Sequence, residues 1–152
     1  MTQGVTKPGG FALLARTRGV PAAFILVLLA FGGFSLLLPV VPLAVLRGGG
    51  SDLVAGATTG VFMTVTVLVQ LLTPRITAGI GYRWVLATGS ALLGLPSGLL
   101  ALAEGPVAVL AVSGVRGAGF GMMTVAGSAL VAELAPPGML GRATSLIGLA
   151  VG

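Results

Sequence analysis

The sequence predicts an all-α integral membrane protein of four transmembrane helices plus the start of a fifth. Three observations predict it. Only 7% of the residues are charged and 56% are hydrophobic, with a mean hydropathy of +1.13. A soluble domain has about a quarter of its residues charged, so this chain lacks the polar side chains to cover a water-facing surface. Apolar runs occupy residues 20–46, 53–73, 84–102 and 106–132, each close to or above the roughly 20 residues a helix needs to cross hydrocarbon. The basic residues fall almost entirely in alternate loops. Helices are the open-ended solution because lipid supplies no partner for a free backbone N–H or C=O.

Taken in order, residues 1–19 form a tail containing Lys7, Arg16 and Arg18. The run 20–46 is far longer than the roughly 7–15 residues of a signal-peptide core, so it is an uncleaved first span. Pro39 and Pro42, in "LLLPVVPLAVL", predict a bend or break at its far end. "RGGGSD" leads to the second span, 53–73. A loop over 74–83 leads to the third, 84–102, and "AEG" to the fourth, 106–132. The last apolar run, 143–152, reaches only about 15 Å as a helix. It is too short to cross, so the chain is expected to be cut short. The domain expectation is a cytoplasmic tail, 1–19, followed by a partial membrane domain, 20–152.

Lys7, Arg16, Arg18, Arg75, Arg83 and Arg142 share one side of this arrangement, which is six of the eight basic residues. An excess of Lys and Arg marks the cytoplasmic side, so a multi-pass protein of the cell membrane with its N-terminus inside is expected. The short connections make sequential helices antiparallel neighbours in a bundle.

Several function classes are excluded. There is no Cys and no His, which removes disulfides, thiolate or imidazole metal sites and His- or Cys-based catalysis. No metal site and no cofactor are expected. The three acids, Asp52, Glu104 and Glu133, each border a different apolar run, so a paired-carboxylate site is not built. A nucleic-acid partner would require a basic stripe, which is missing. An enzyme is the least supported class.

Small and weakly polar residues favour contact between helices in lipid. The second span has such a line in Gly56, Thr59, Met63, Thr66, Gln70 and Thr73, and the third in Ser90, Gly94, Ser97 and Ala101. GxxxG spacing occurs at Gly56/Gly60, Gly94/Gly98 and Gly117/Gly121. On the fourth span, Ser113, Arg116, Gly117, Phe120, Thr124, Gly127 and Ser128 project onto one sector of roughly 120°, with Glu133 on the other side. Arg116 lies about 15 Å along the helix from Pro106, near the middle of the hydrocarbon. An arginine there costs at least about 2.5–3.5 kcal/mol. No acid of this chain is expected at that depth. Its partners are therefore expected on missing helices, in water or on a substrate. Arg116 either pins helices together through carbonyl hydrogen bonds or serves a solute pathway, the default role of an intramembrane charge.

The order of these features resembles the N-terminal part of a major facilitator superfamily transporter. The resemblance runs over about residues 20–152. It rests on "LPVVP" ending the first span, a basic Gly-containing loop after the second, "RGAGFG" in the fourth, and "AELAPPGMLGRATSL" following it. The family's helix-4 motif sets Arg116 in a Gly-rich context, with Gly119 replacing a usual Gln. The exit from that helix matches at Glu133, Pro136, Gly141 and Arg142. The family's loop motif is degenerate in "PRITAGIGYRW". Pro74 replaces the first Gly, Ala78 the Asp, Gly79 the Arg and Tyr82 the first of two closing basic residues, while Gly81 and Arg83 remain. The family's Asp contact with the other half of the transporter cannot form from Ala78. Arg83 is left either to pair with Glu133 or only to set topology.

The resemblance implies a transporter of twelve or fourteen helices whose halves are each built from two inverted three-helix repeats, with substrate near the midplane. This chain would hold the first repeat and barely one helix of the second. The expected function is that of a truncated N-terminal piece of a secondary transporter, a proton-coupled exporter of small molecules. Arg116, Ser113, Gly117, Phe120, Thr124 and Ser128 would form the substrate and proton pathway. Its partners would be the lipid bilayer, a small-molecule substrate, protons and the missing helices of the same polypeptide. The rival readings are a self-contained four-helix small multidrug exporter and a non-functional gene fragment. The former lacks a carboxylate in its first span to exchange protons.

Overall fold

Four helices make up the computed structural model, which describes residues 19–100, 105–135 and 138–151. The expectations for Lys7, Arg16, Arg18, Ala101, Glu104 and Pro136 lie outside the described residues. Helix α1 is Val20–Arg47, α2 is Asp52–Leu99, α3 is Pro106–Leu134 and α4 is Leu140–Val151. Among the described residues, α1, α2 and α3 are long and apolar enough to cross a membrane. Pro39 and Pro42 do not break α1, which runs through both to Arg47. Each proline removes one backbone bond, a loss that membrane helices tolerate when neighbouring groups re-satisfy the backbone. Ser51 caps α2, its side chain accepting from the Val54 N–H at 3.3 Å, with Asp52 beside the positive helix end. Helix α4 starts at Leu140, three residues earlier than the sequence reading sets it.

Helix α2 departs most from expectation. The sequence reading has a loop at 74–83, yet helix continues through Pro74 and is interrupted only at Gly81, with φ 79° and ψ 161°. That backbone region belongs essentially to glycine. A straight helix of 48 residues would be about 72 Å long, more than twice the hydrocarbon thickness. Gly81 instead divides α2 into an arm of residues 52–80 and an arm of residues 82–99.

The two arms flank α3 and run in opposite directions along it. On the first arm, Phe62, Thr66 and Gln70 meet Gly117, Gly121 and Thr124 in rising order. On the second, Tyr82, Gly89 and Ser97 meet Glu133, Gly119 and Arg116 in falling order. Helix α1 lies antiparallel to α3, with Val27 on Gly127 and Phe31 and Phe34 on Phe120. The short α4 packs Ala143 against Ala23 and Val131.

Helix α3 is therefore the centre. Its most apolar window is 44% buried, against 17% for α1 and 22% for α2. The main core joins Ala30, Val85, Leu86, Met123 and Ala126. Large apolar side chains such as Leu36, Leu53, Leu71, Leu95 and Val107 point outward, as lipid permits. Among the described residues, side-chain hydrogen bonds between helices all join α2 to α3. Helix α1 is held by apolar contact.

Glycine spacing is only partly used for packing. Gly117 and Gly121 face the Phe62 and Thr66 carbonyls, so closely that a Cβ at either would collide. Around Gly56, Gly60, Gly94 and Gly98 a Cβ would meet nothing within 4 Å. The spacing places two glycines on one face, but whether a helix lies opposite is a tertiary matter. The polar line of the second span is likewise displaced. Thr66 and Thr73 are buried, but Gly56 and Met63 are exposed, and the contact face runs instead through Ala55, Thr58 and Phe62.

Candidate functional site

Arg116 is 3% exposed. Its Nε donates to the Ser97 hydroxyl at 2.9 Å. That hydroxyl in turn donates to the Leu93 carbonyl at 2.8 Å, which fixes the direction of its lone pairs. The guanidinium carbon lies 5.8 Å from the centre of the Phe62 ring, near enough for a cation–π attraction of about 0.5–2 kcal/mol. One hydrogen bond leaves four of the five guanidinium N–H groups to place. No buried side-chain nitrogen or oxygen among the described residues lacks a partner. The terminal nitrogens of Arg116 make none of the described bonds.

Arg116 borders two cavities. One of about 20 Å³ is bordered by Thr58, Phe62 and Ser113 and has the size of a single water site. The other, about 240 Å³, opens between α1, the second arm of α2 and α3, with Ala30, Gly33, Ser90, Gly94 and Ser97 in its wall. Among the described residues, no acidic side chain borders either cavity.

The other residues singled out on α3 divide by environment. Ser113 is buried and donates to the Val109 carbonyl at 2.8 Å. Phe120 is the hub of an aromatic cluster, 4.6 Å from Phe34, 5.0 Å from Phe31 and 5.6 Å from Phe62, centre to centre. Gly117 is closed by the Phe62 backbone, and its carbonyl accepts from the Thr66 hydroxyl at 3.0 Å. Thr124 accepts from Gln70 Nε2 at 3.0 Å and donates to the Gly121 carbonyl at 3.1 Å. Ser128 is half-buried. Of this set, Arg116 and Ser113 border the two cavities described above.

Two partners of Arg116 escaped the sequence reading in this role. Ser97 stood in the small-residue line of its span with nothing to link it to position 116. Phe62 lay one step off the polar line, and its only signal was being a large aromatic next to it.

The sequence model of the Major Facilitator Superfamily matches residues 23–152. The chain belongs to the major facilitator superfamily. Comparisons with curated proteins and with solved structures returned no match. This facilitator chain is thus a multi-pass membrane protein of the transporter type, and its motifs can be compared with the coordinates. The retained Gly81 of the facilitator loop forms the sharp turn of α2. Pro74 is exposed within the first arm. Glu133 takes its hydrogen bond from Tyr82, the residue standing where the family has a base, with Oη to Oε1 at 2.7 Å. That bond, first, then desolvation and the nearby negative charge hold the Tyr82 phenol above its ordinary value near 10. Arg83 instead lies over the Trp84 ring at 5.7 Å. A phenol reaches the carboxylate without carrying a charge, and Arg83 is exposed.

Gly119, the departure from the helix-4 motif, faces the second arm. A Cβ there would sit 2.5 Å from the Leu93 nitrogen and 2.6 Å from the Gly89 carbonyl oxygen. The side chain that the family carries at this position has no room in this packing.

Proposed function

We propose that this chain belongs to a secondary active transporter that exports small molecules in exchange for protons, with Arg116 on the solute path. The observation that carries the reading is a guanidinium buried in the middle of a membrane helix, bonded once among the described residues and bordering cavities with no described acid in their walls. Intramembrane charges of this kind are functional by default. In this reading α2 crosses the membrane twice about Gly81, giving four crossings, and α4 begins a fifth. The tail and the Gly81 turn lie in the cytoplasm, and the protein resides in the plasma membrane. The grouping of Arg75, Arg83 and Arg142 near the Tyr82–Glu133 end supports that orientation.

The test is transport in membrane vesicles by the protein and its Arg116→Ala variant. The variant is expected to lose transport while its level in the membrane is unchanged. Full transport by the variant would refute the assignment. Reversing the imposed pH gradient is expected to reverse net flux, and indifference to the gradient would remove proton coupling.

A further inference from the structure

We propose that the larger Arg116 cavity is a binding site for an organic monoanion with a small apolar body. The inference rests on the reading of Arg116 as part of the solute path and names the class of solute.

The wall is apolar apart from three groups, the guanidinium and the hydroxyls of Ser90 and Ser97. The hydroxyls are already engaged. Ser90 donates to the Leu86 carbonyl at 2.7 Å and Ser97 to the Leu93 carbonyl at 2.8 Å. The terminal N–H groups of Arg116 are the donors left over. A buried cation costs several kcal/mol unless a negative partner offsets it, and none of the described side chains bordering the cavity is acidic. The two acids among the described residues stand at helix ends, Asp52 in the first turn of α2 and Glu133 in the last turn of α3. In this proposal the solute carries the compensating charge.

A guanidinium offers paired N–H groups that match the two oxygens of a carboxylate. One fixed cation balances one negative charge, which sets the class as monoanionic. The volume of about 240 Å³ equals roughly eight water volumes. That accommodates a single aromatic ring or a short acyl chain. The apolar wall rewards such a body, while a fully hydrated inorganic anion would lose its water there without replacement. An amine of the same shape would meet a like charge.

The experiment is saturation-transfer NMR on the protein in zwitterionic nanodiscs, with empty nanodiscs as background. Benzoate, benzamide and benzylamine serve as probes of one shape and three charges. Benzoate is expected to bind at least ten-fold more tightly than benzamide, with benzylamine showing no protein-dependent signal. Arg116→Gln is expected to abolish that preference, and Arg116→Lys to retain part of it. Gly94→Leu is the second variant. Gly94 borders the cavity and a Cβ there meets nothing within 4 Å, so the added side chain should fill the cavity without disturbing the fold and cut benzoate binding at least ten-fold. Equal binding of benzoate and benzamide overturns the proposal, as does benzoate binding that survives both Arg116→Gln and Gly94→Leu. Benzoate binding without vesicle transport would overturn the transport reading and leave the anion site standing. Transport of neutral or cationic solutes with no preference for benzoate would overturn the anion site alone.

Discussion

Gly119→Ala adds one methyl group at the closest approach of α3 to the second arm of α2. The new carbon would lie 2.5 Å from the Leu93 nitrogen and 2.6 Å from the Gly89 carbonyl oxygen. Both are backbone atoms, so no side chain can swing aside. Restoring ordinary contact requires the helices to part by roughly 1 Å, and a gap of that size forfeits a quarter to a half of the dispersion energy at each affected contact. Overpacking of this kind costs about 1–3 kcal/mol, set against about 1 kcal/mol gained by replacing Gly with Ala inside a helix. The net expectation is a loss of up to about 2 kcal/mol, and a larger one for Gly119→Gln. Gly56→Ala is the control, because a Cβ there meets nothing within 4 Å. It is expected to be neutral or slightly stabilising. Reversible unfolding in mixed micelles, read by far-ultraviolet circular dichroism, measures all three variants. If Gly119→Ala proved as stable as Gly56→Ala, the close backbone approach of α3 and α2 would be wrong.

Phe120→Ala removes the hub of the four-ring cluster and should cost about 3–5 kcal/mol in the same assay, whereas Leu36→Ala, on an exposed face, should cost under about 1 kcal/mol. Thr66→Val removes the hydroxyl that donates to the Phe62 and Gly117 carbonyls and should lose about 0.5–2 kcal/mol. Thr64→Val, whose hydroxyl is exposed and bonded only within its own helix, should change little. Tyr82 is the one tyrosine, so phenolate absorbance reports it alone. Its titration midpoint should lie above 10 and fall towards 10 in Glu133→Gln. Because the folded value is the raised one, the contribution of this contact is fully present below the unfolded value near 10 and is lost as pH rises through the folded value. A midpoint unmoved by Glu133→Gln would show that the bond does not form in solution.

The helices of the bundle were legible because lipid imposes a length and a polarity that composition cannot hide. Runs of about 20 apolar residues name their own spans, and Gly81 kept its place in the loop motif because its backbone angles are closed to other residues. The loop at 74–83 was misread for the opposite reason. Its proline and polar residues signal a break, but one lost backbone bond does not end a helix that packs on both sides. Arg116 stood out as the single charge in the fourth run. Its partners did not, since Ser97 and Phe62 sit on different arms of α2 and nothing in their spacing refers to position 116.

From the sequence alone follow the membrane class, the helical content and the place of one arginine along its helix. These depend on local composition and on distance along a helix, both of which are written in one dimension. The tertiary structure alone decided that α3 lies between two antiparallel arms, that Gly119 rather than Gly94 needs to be bare, and that Glu133 meets a phenol. It also decided that Arg116 bonds to Ser97 and borders two cavities. Those outcomes depend on which faces oppose each other, and helical periodicity fixes a face without saying what will pack against it.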